Sequence, residues 1–235
     1  MEFHIEYFKT SLLEAFHYVP VTLKLTVISF ILSLIIGFVI GAIRHYEVPV
    51  LSKVFSIFVT VYMGLPVMVA LVLYNMIFLT TYEDFARFFH LSKSIKEVNP
   101  IIIGYITLIS FYSCHLSETV RGAFRGIAKI QYEAGYAIGM TRLQTLRRII
   151  LPQLVPIMIP NLVNSLIGAL KGSNLVSAIG VMEVMTAALV PCQETYSYLE
   201  GYLAAALVYW MIGIGIEFFC TVLEKQSGKY RKQLV

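Results

Sequence analysis

Five segments of about eighteen or more mainly apolar residues, at 21–43, 54–79, 101–120, 155–172 and 202–223, constrain this chain more than anything else in it. At about 1.5 Å per residue, a helix of that length matches the ~30 Å hydrocarbon layer of a bilayer. No water is available there to satisfy backbone amides and carbonyls, so such segments cross as helices. The expected fold is an all-α integral membrane protein with five transmembrane helices, a single transmembrane domain over residues 1–235. Charged residues make up 14% of the chain, against about 25% in soluble domains. Five spans leave little sequence for a soluble domain, and no nucleic-acid partner is expected. Residues 1–20 carry Glu2, Glu6 and Glu14 where a signal peptide would be basic, so the first span is expected to persist.

Lys and Arg collect in cytoplasmic loops, which makes the loop charges a test of topology. Six basic residues against Glu133 mark 121–150, and four against Glu224 mark 224–235. The segment 44–53 is weakly basic and 80–100 neutral, whereas 1–20 and 173–201 are acidic. This alternation predicts the N-terminus outside, the C-terminus in the cytoplasm and the loop 121–150 inside. A sixth crossing at 175–190 would carry Lys225, Lys229, Arg231 and Lys232 outside, so that segment is expected to enter the membrane only partly.

The basic loop has internal structure. Residues 131–137 favour a helix, Gly139 supplies the positive φ of a sharp turn, and Thr141-x-x-Gln144 is a capping box that starts a second helix. Leu143, Leu146 and Ile150 then form an apolar stripe expected to pack on the membrane domain, with Arg142, Arg147 and Arg148 reaching water or acidic lipid headgroups. The pattern predicts a docking helix, a tight turn and an amphipathic helix, available to another protein.

Within the spans, Gly37 with Gly41 and Gly168 with Gly172 place small residues on one helix face, for packing within a subunit or for dimerisation. Pro152, Pro156 and Pro160 free the carbonyls four residues before them and are expected to bend the fourth span as it enters the membrane. Lys171 falls deep in that span, where a charge costs about 2.5–3.5 kcal/mol unless it snorkels, pairs or faces water. Gly172-Ser173-Asn174 is expected to break the helix beside it, with Glu183 as a possible outer partner and a substrate carboxylate as the alternative. Glu118, Glu217 and Lys24 sit near span ends, where pairing or solvation is expected. Cys114, Cys192 and Cys220 are scattered, and His115 lacks ligand spacing and is expected to be a hydrogen-bonded residue of the span, so no metal site is expected.

Together these residues resemble the membrane subunit of a type I ABC importer of the polar amino acid family. That family's cytoplasmic Glu-Ala-Ala-x3-Gly motif appears as Glu133-Ala134-Gly135-x3-Gly139, its Leu-Pro pair as Leu151-Pro152, and its Lys-x-Thr-Ser-Leu stretch as Lys171-Gly172-Ser173-Asn174-Leu175. Upstream, Glu118-Thr119-Val120-Arg121-Gly122, Thr22-Leu23 with Gly37, Gly41 and Arg44, and Gly64-Leu65-Pro66 match as well, so the likeness covers about 22–183. The chain departs from the family at Gly135, at Met63 where an Arg is common, at Asn174 and at Ile130.

The resemblance implies the plasma membrane of a bacterium, a second permease subunit in a homo- or heterodimer, a cytoplasmic ATPase dimer, an external amino acid-binding protein and contact with membrane lipid. ATP and magnesium would belong to the ATPase; this chain has no Gly-x4-Gly-Lys-Ser/Thr phosphate loop and needs no cofactor of its own. Glu133, Ala134, Gly135, Gly139 and Thr141 would form the coupling element, with Ala134, Gly135 and Ala137 allowing close approach of the ATPase. Lys171, Ser173, Asn174 and Glu183 would line a path for a substrate such as histidine, glutamate, glutamine, arginine or cystine. An ion-coupled secondary transporter is the alternative, disfavoured by the lack of any Asp within the spans. A membrane enzyme finds no nucleophile–base or metal constellation.

Overall fold

The computed structural model describes residues 3–90 and 94–231, with side chains to residue 222. Glu2, Lys93 and Lys232, and the side chains of Glu224, Lys225, Lys229 and Arg231, lie outside the described residues. Among the described residues, five helices are long and apolar enough to cross a membrane.

Helix α1 (Ile5–His17) precedes the first crossing, α2 (Val19–His45). Along α2, Thr22, Thr26, Ser29, Ser33, Gly37 and Gly41 repeat at three- and four-residue spacing, and all are buried. In lipid there is no hydrophobic drive between helices, so a stripe of small residues gains contact by letting backbones approach. The helix it meets is α5 (Ile101–Arg125), numbered after α3 (Leu51–Met63) and α4 (Val67–Phe88). A Cβ on Gly37 would lie 2.8 Å from the Ser113 carbonyl, and one on Gly41 2.7 Å from that of Ser117. Ser33 donates to the Ile109 carbonyl at 3.1 Å. Gly168 and Gly172 likewise face Tyr112 of α5. Both Gly pairs are therefore spent on packing within one subunit.

The second crossing differs from the unbroken span expected at 54–79. The stretch is split into α3 and α4 by Gly64-Leu65-Pro66, and of the two halves α4 alone is long enough to cross. Pro66 has no amide to continue the helix and disfavours helical geometry at Leu65. The halves stay tied through the Tyr62 and Tyr74 hydroxyls, 3.0 Å apart.

After α5 come α6 (Lys129–Ala137) and α7 (Arg142–Thr145), a π-helical turn over Leu146–Ile150, and α8 (Leu151–Ser173). The second loop helix and the fourth span therefore form one rod, continuous over Arg142–Ile179, where a separate span from about 155 was expected. The Leu151 amide donates to the Leu146 carbonyl five residues back. This wide turn falls directly before Pro152, whose ring would clash with the Arg148 carbonyl in a regular helix. Pro156 and Pro160 lie inside α8. Gly172-Ser173-Asn174 does not break the rod: it tightens into a 3-10 helix, Asn174–Ile179, ending at Gly180 in the left-handed region.

Two short helices follow, α9 (Val184–Leu189) and α10 (Cys192–Thr195), before the last crossing, α11 (Tyr198–Arg231). Ala15 of α1 packs with Val184 and Ala188 of α9 and Ala205 and Val208 of α11. The His4 amide donates to Glu200 at 2.9 Å. Helix α1 thus caps the end of the bundle remote from the loop.

Candidate functional site: a keyed docking loop and a polar helix face

The loop helix α6 is amphipathic in an unusual sense, since its buried side is a glycine. Glu133, Ala134, Tyr136 and Ala137 are exposed, Ile138 just beyond keeps 72% of its surface open, and Gly135 is buried. A Cβ on Gly135 would stand 2.8 Å from both Cγ2 and Oγ1 of Thr145 and 3.1 Å from Cδ1 of Ile149. Gly135 therefore faces its own chain, which corrects its expected place beside Ala134 and Ala137 on the partner-facing side. The helix closes with Gly139 at φ +79: the Gly139 amide donates to Tyr136 at 2.9 Å and the Met140 amide to Gly135 at 3.0 Å. This bonding satisfies carbonyls a helix end leaves free, and only a residue tolerant of positive φ supports it.

Thr141 starts the next helix as expected. Its hydroxyl accepts from the Gln144 amide at 3.3 Å, and the Thr141 amide donates to the Gln144 side chain at 2.9 Å. Ile150 is wholly buried and Leu146 half-buried, but Leu143 is 72% exposed. The apolar stripe therefore does not begin at Leu143, which joins Ile138 and Tyr136 on the open surface. Gln153 ties α8 back to the loop by donating to Gln131 at 3.3 Å. Beside these residues Tyr46, Tyr132, Tyr136, Arg142, Leu143 and Leu146 line a cavity of about 580 Å³. Burial holds the Tyr46 and Tyr132 phenols above their ordinary range, so both stay neutral around pH 7.

Beneath the loop, Arg44 of α2 bonds Glu118 of α5 at 2.6 Å, and Arg121 takes the other carboxylate oxygen at 2.6 Å. Arg44 also donates to Ser56 of α3 at 3.1 Å. Three helices are thereby locked at the loop end.

The expected path residues separate. Lys171 is exposed on the protomer surface and has no ion pair among the described residues. Gly172 beside it packs on the Tyr112 hydroxyl, and Tyr112 lies eleven residues, or ~16 Å, along α5 from its end remote from the loop. Ser173 is buried and donates to the Leu170 carbonyl at 2.7 Å, while Asn174 is half-buried with an unpartnered Oδ1.

Glu183 is wholly buried and does not meet Lys171. It caps α9 by accepting from the Met185 and Thr186 amides at 2.9 and 3.1 Å, and it accepts from Thr22 at 3.3 Å and from Tyr209. Ser173 and Glu183 are thus structural, which corrects their placement on the path. His115 packs against Phe111 with its Nε2 unpartnered, in place of the hydrogen bond expected.

A polar face of α8, passed over in the sequence, lies open on the surface of the subunit. Asn161, Asn164 and Lys171 are all exposed, and their separations of three and seven residues bring them toward one face of α8. The periodicity was available in the sequence, but Asn carries no charge and two amides are diluted in so apolar a run. Polar side chains turned away from their own bundle at membrane depth face water or another subunit.

The fold is that of an all-helical membrane protein that offers an exposed loop helix on one side. The chain belongs to the family of binding-protein-dependent transport system inner membrane components, whose model matches residues 18–228. The probable amino-acid permease protein YxeN of Bacillus subtilis is 31% identical over 97% of this chain and 96% of its own length. The L-cystine transport system permease protein TcyB of Bacillus subtilis is 30% identical over 89% of this chain and 84% of its own. The histidine/lysine/arginine/ornithine permease protein HisQ of Salmonella typhimurium is 30% identical over 80% and 82%. Among solved structures, an amino acid ABC transporter crystallised with histidines superposes with a TM-score of 0.80 at 24% identity, over 96% of this chain and all of that one. The protein is a multi-pass permease subunit of the plasma membrane.

Proposed function

We propose that this chain is the membrane subunit of an ABC importer for an amino acid, driven by a cytoplasmic ATPase pair that holds ATP and magnesium. An external binding protein delivers the substrate, and a second permease subunit, the same chain or a related one, completes the pore. The observation that carries this reading is the loop helix α6. It is exposed along Glu133, Ala134, Ala137 and Ile138 yet fixed at both ends, by Gln131 to Gln153 and by the Gly139 turn. A rigid, solvent-facing helix with an acidic residue and small neighbours suits the groove of a partner. In this reading the loop faces the cytoplasm and the N-terminus lies outside, in keeping with the charge alternation.

The substrate is an amino acid because the named relatives carry amino acids. The face formed by Asn161, Asn164 and Lys171 supports this, since it offers amides and one cation to a zwitterion with a carboxylate. Asn174, three residues beyond Lys171, adds an unpartnered amide oxygen. Glu133→Lys and Gly139→Val, assayed as ATP-dependent amino acid uptake into proteoliposomes with the ATPase and binding protein, are expected to abolish uptake while the subunit still inserts. Undiminished uptake by both variants would remove the docking role, and uptake that survives vanadate would point instead to an ion-coupled transporter.

A further inference from the structure

We infer that Gly135 and Thr145 form the contact through which the docking helix moves the membrane span, and that both are positioning residues for coupling rather than part of the docking surface. The inference rests on the docking role of α6. Gly135 is pinned on two sides. Its Cα side lies against the Thr145 side chain, so closely that a Cβ would come within 2.8 Å. Its carbonyl accepts the Met140 amide at 3.0 Å, so the same residue closes the turn that leads to α7.

Thr145 is wholly buried and its hydroxyl has no hydrogen-bond partner, so it meets Gly135 by packing alone. It is the last residue of α7, directly before the π-helical turn, and the rod then runs without interruption to Ile179. Displacement of Glu133 and Ala134 by an ATPase therefore reaches Thr145 without slack, because close-packed groups transmit strain rather than absorb it. From Thr145 it passes along the rod that carries Asn161, Asn164 and Lys171. The docking surface and the contact occupy opposite sides of one nine-residue helix.

The test uses the complete complex in proteoliposomes, with uptake and ATP hydrolysis measured on the same preparation and assembly followed by co-purification of the ATPase. Thr145→Ala opens a void at the contact, and Gly135→Ala forces it apart. Each is expected to leave hydrolysis running while uptake per ATP falls roughly 5-fold or more, the low end of a coupling between sites. Joining the two changes removes both methyl-sized obstacles at Thr145 and is expected to recover most of the loss. Thr145→Val keeps the shape without the hydroxyl and is expected to retain coupling. Wild-type uptake per ATP in both single variants would overturn the inference, as would a Thr145→Val variant as uncoupled as Thr145→Ala. Glu133→Lys in the same assay separates the two claims. If it alone abolishes uptake, docking stands and the transmission contact falls; if it leaves uptake intact, the docking reading falls.

Discussion

Arg44 ends the first crossing with 7% of its side chain exposed, against 30% for its partner Glu118. A cation so covered depends on its anion, because removing one member of a buried pair leaves the other charged and unsolvated. Glu118→Gln is expected to cost ~2 kcal/mol, below the ~3–5 kcal/mol of a fully buried pair because Glu118 keeps solvent contact. Thermal unfolding of the detergent-solubilised protein reads this, and adding Arg44→Met is expected to restore part of the loss. An unchanged midpoint in the single variant would mean that Ser56, Ser117 and solvent already satisfy Arg44. That Glu118 needed a partner was legible from its place at a span end. Its partner, 74 positions away, was not. The same holds for Glu183, whose partner Thr22 is 161 positions distant. A carboxylate near a charged lysine in the sequence is a natural pair, but Glu183 is turned into the α1, α9 and α11 cluster while Lys171 points outward. Spacing within one element shows which face a residue shares; it is silent on which other element that face meets.

Helix existence was legible from apolar run length, since lipid leaves the backbone no alternative, and helix continuity was not. Gly64-Leu65-Pro66 lies inside an unbroken apolar run, so hydropathy hides a break that Pro66, without an amide and directly after Gly64-Leu65, favours. In the loop the error was the reverse. The fourth span was expected to start near 155, with Pro152, Pro156 and Pro160 bending it, yet the helix already runs from Arg142, widens by one residue over Leu146–Ile150 and continues. The wide turn exists because Pro152 lacks an amide and crowds the Arg148 carbonyl. Pro152→Ala supplies the amide and removes the ring, so the regular helical register becomes available through Thr145–Leu151. One recovered hydrogen bond is worth ~0.5–1.5 kcal/mol, and the variant is expected to be more stable by about that amount. Its rod would keep every residue but lose the wide turn, and so be rotated beneath Thr145, so uptake per ATP is expected to fall as the unfolding midpoint rises. A variant that gains stability and keeps full coupling would show that the π-helical turn is only a response to proline.

At the scale of the molecule, orientation and the pore are two aspects of one arrangement, in which α6 marks one side and α1 the other. Cys114, Cys192 and Cys220 are buried, so a single added surface cysteine reports its side cleanly. Glu14→Cys is expected to react with a membrane-impermeant thiol reagent in intact cells, and Arg142→Cys only after permeabilisation; the opposite pattern would invert the topology. Lys171 then decides what the exposed face of α8 is for. If its ammonium snorkels to an interface, replacing it removes a charge from the membrane and costs nothing in transport. If it meets the substrate carboxylate in a watery path, the same change removes a hydrogen bond to a charged group, worth ~1.5–3 kcal/mol, and uptake weakens ~10-fold or more. Lys171→Met is therefore expected to raise the KM for uptake while the unfolding midpoint holds or rises, because a lysine at that depth costs about 2.5–3.5 kcal/mol to insert. Lys171→Arg keeps the charge with a different donor geometry, and partial recovery of KM is expected. Stability and transport moving in opposite directions at one residue is the signature of a charge held in the membrane for its ligand, and a Lys171→Met variant with unchanged KM would assign it to the interface.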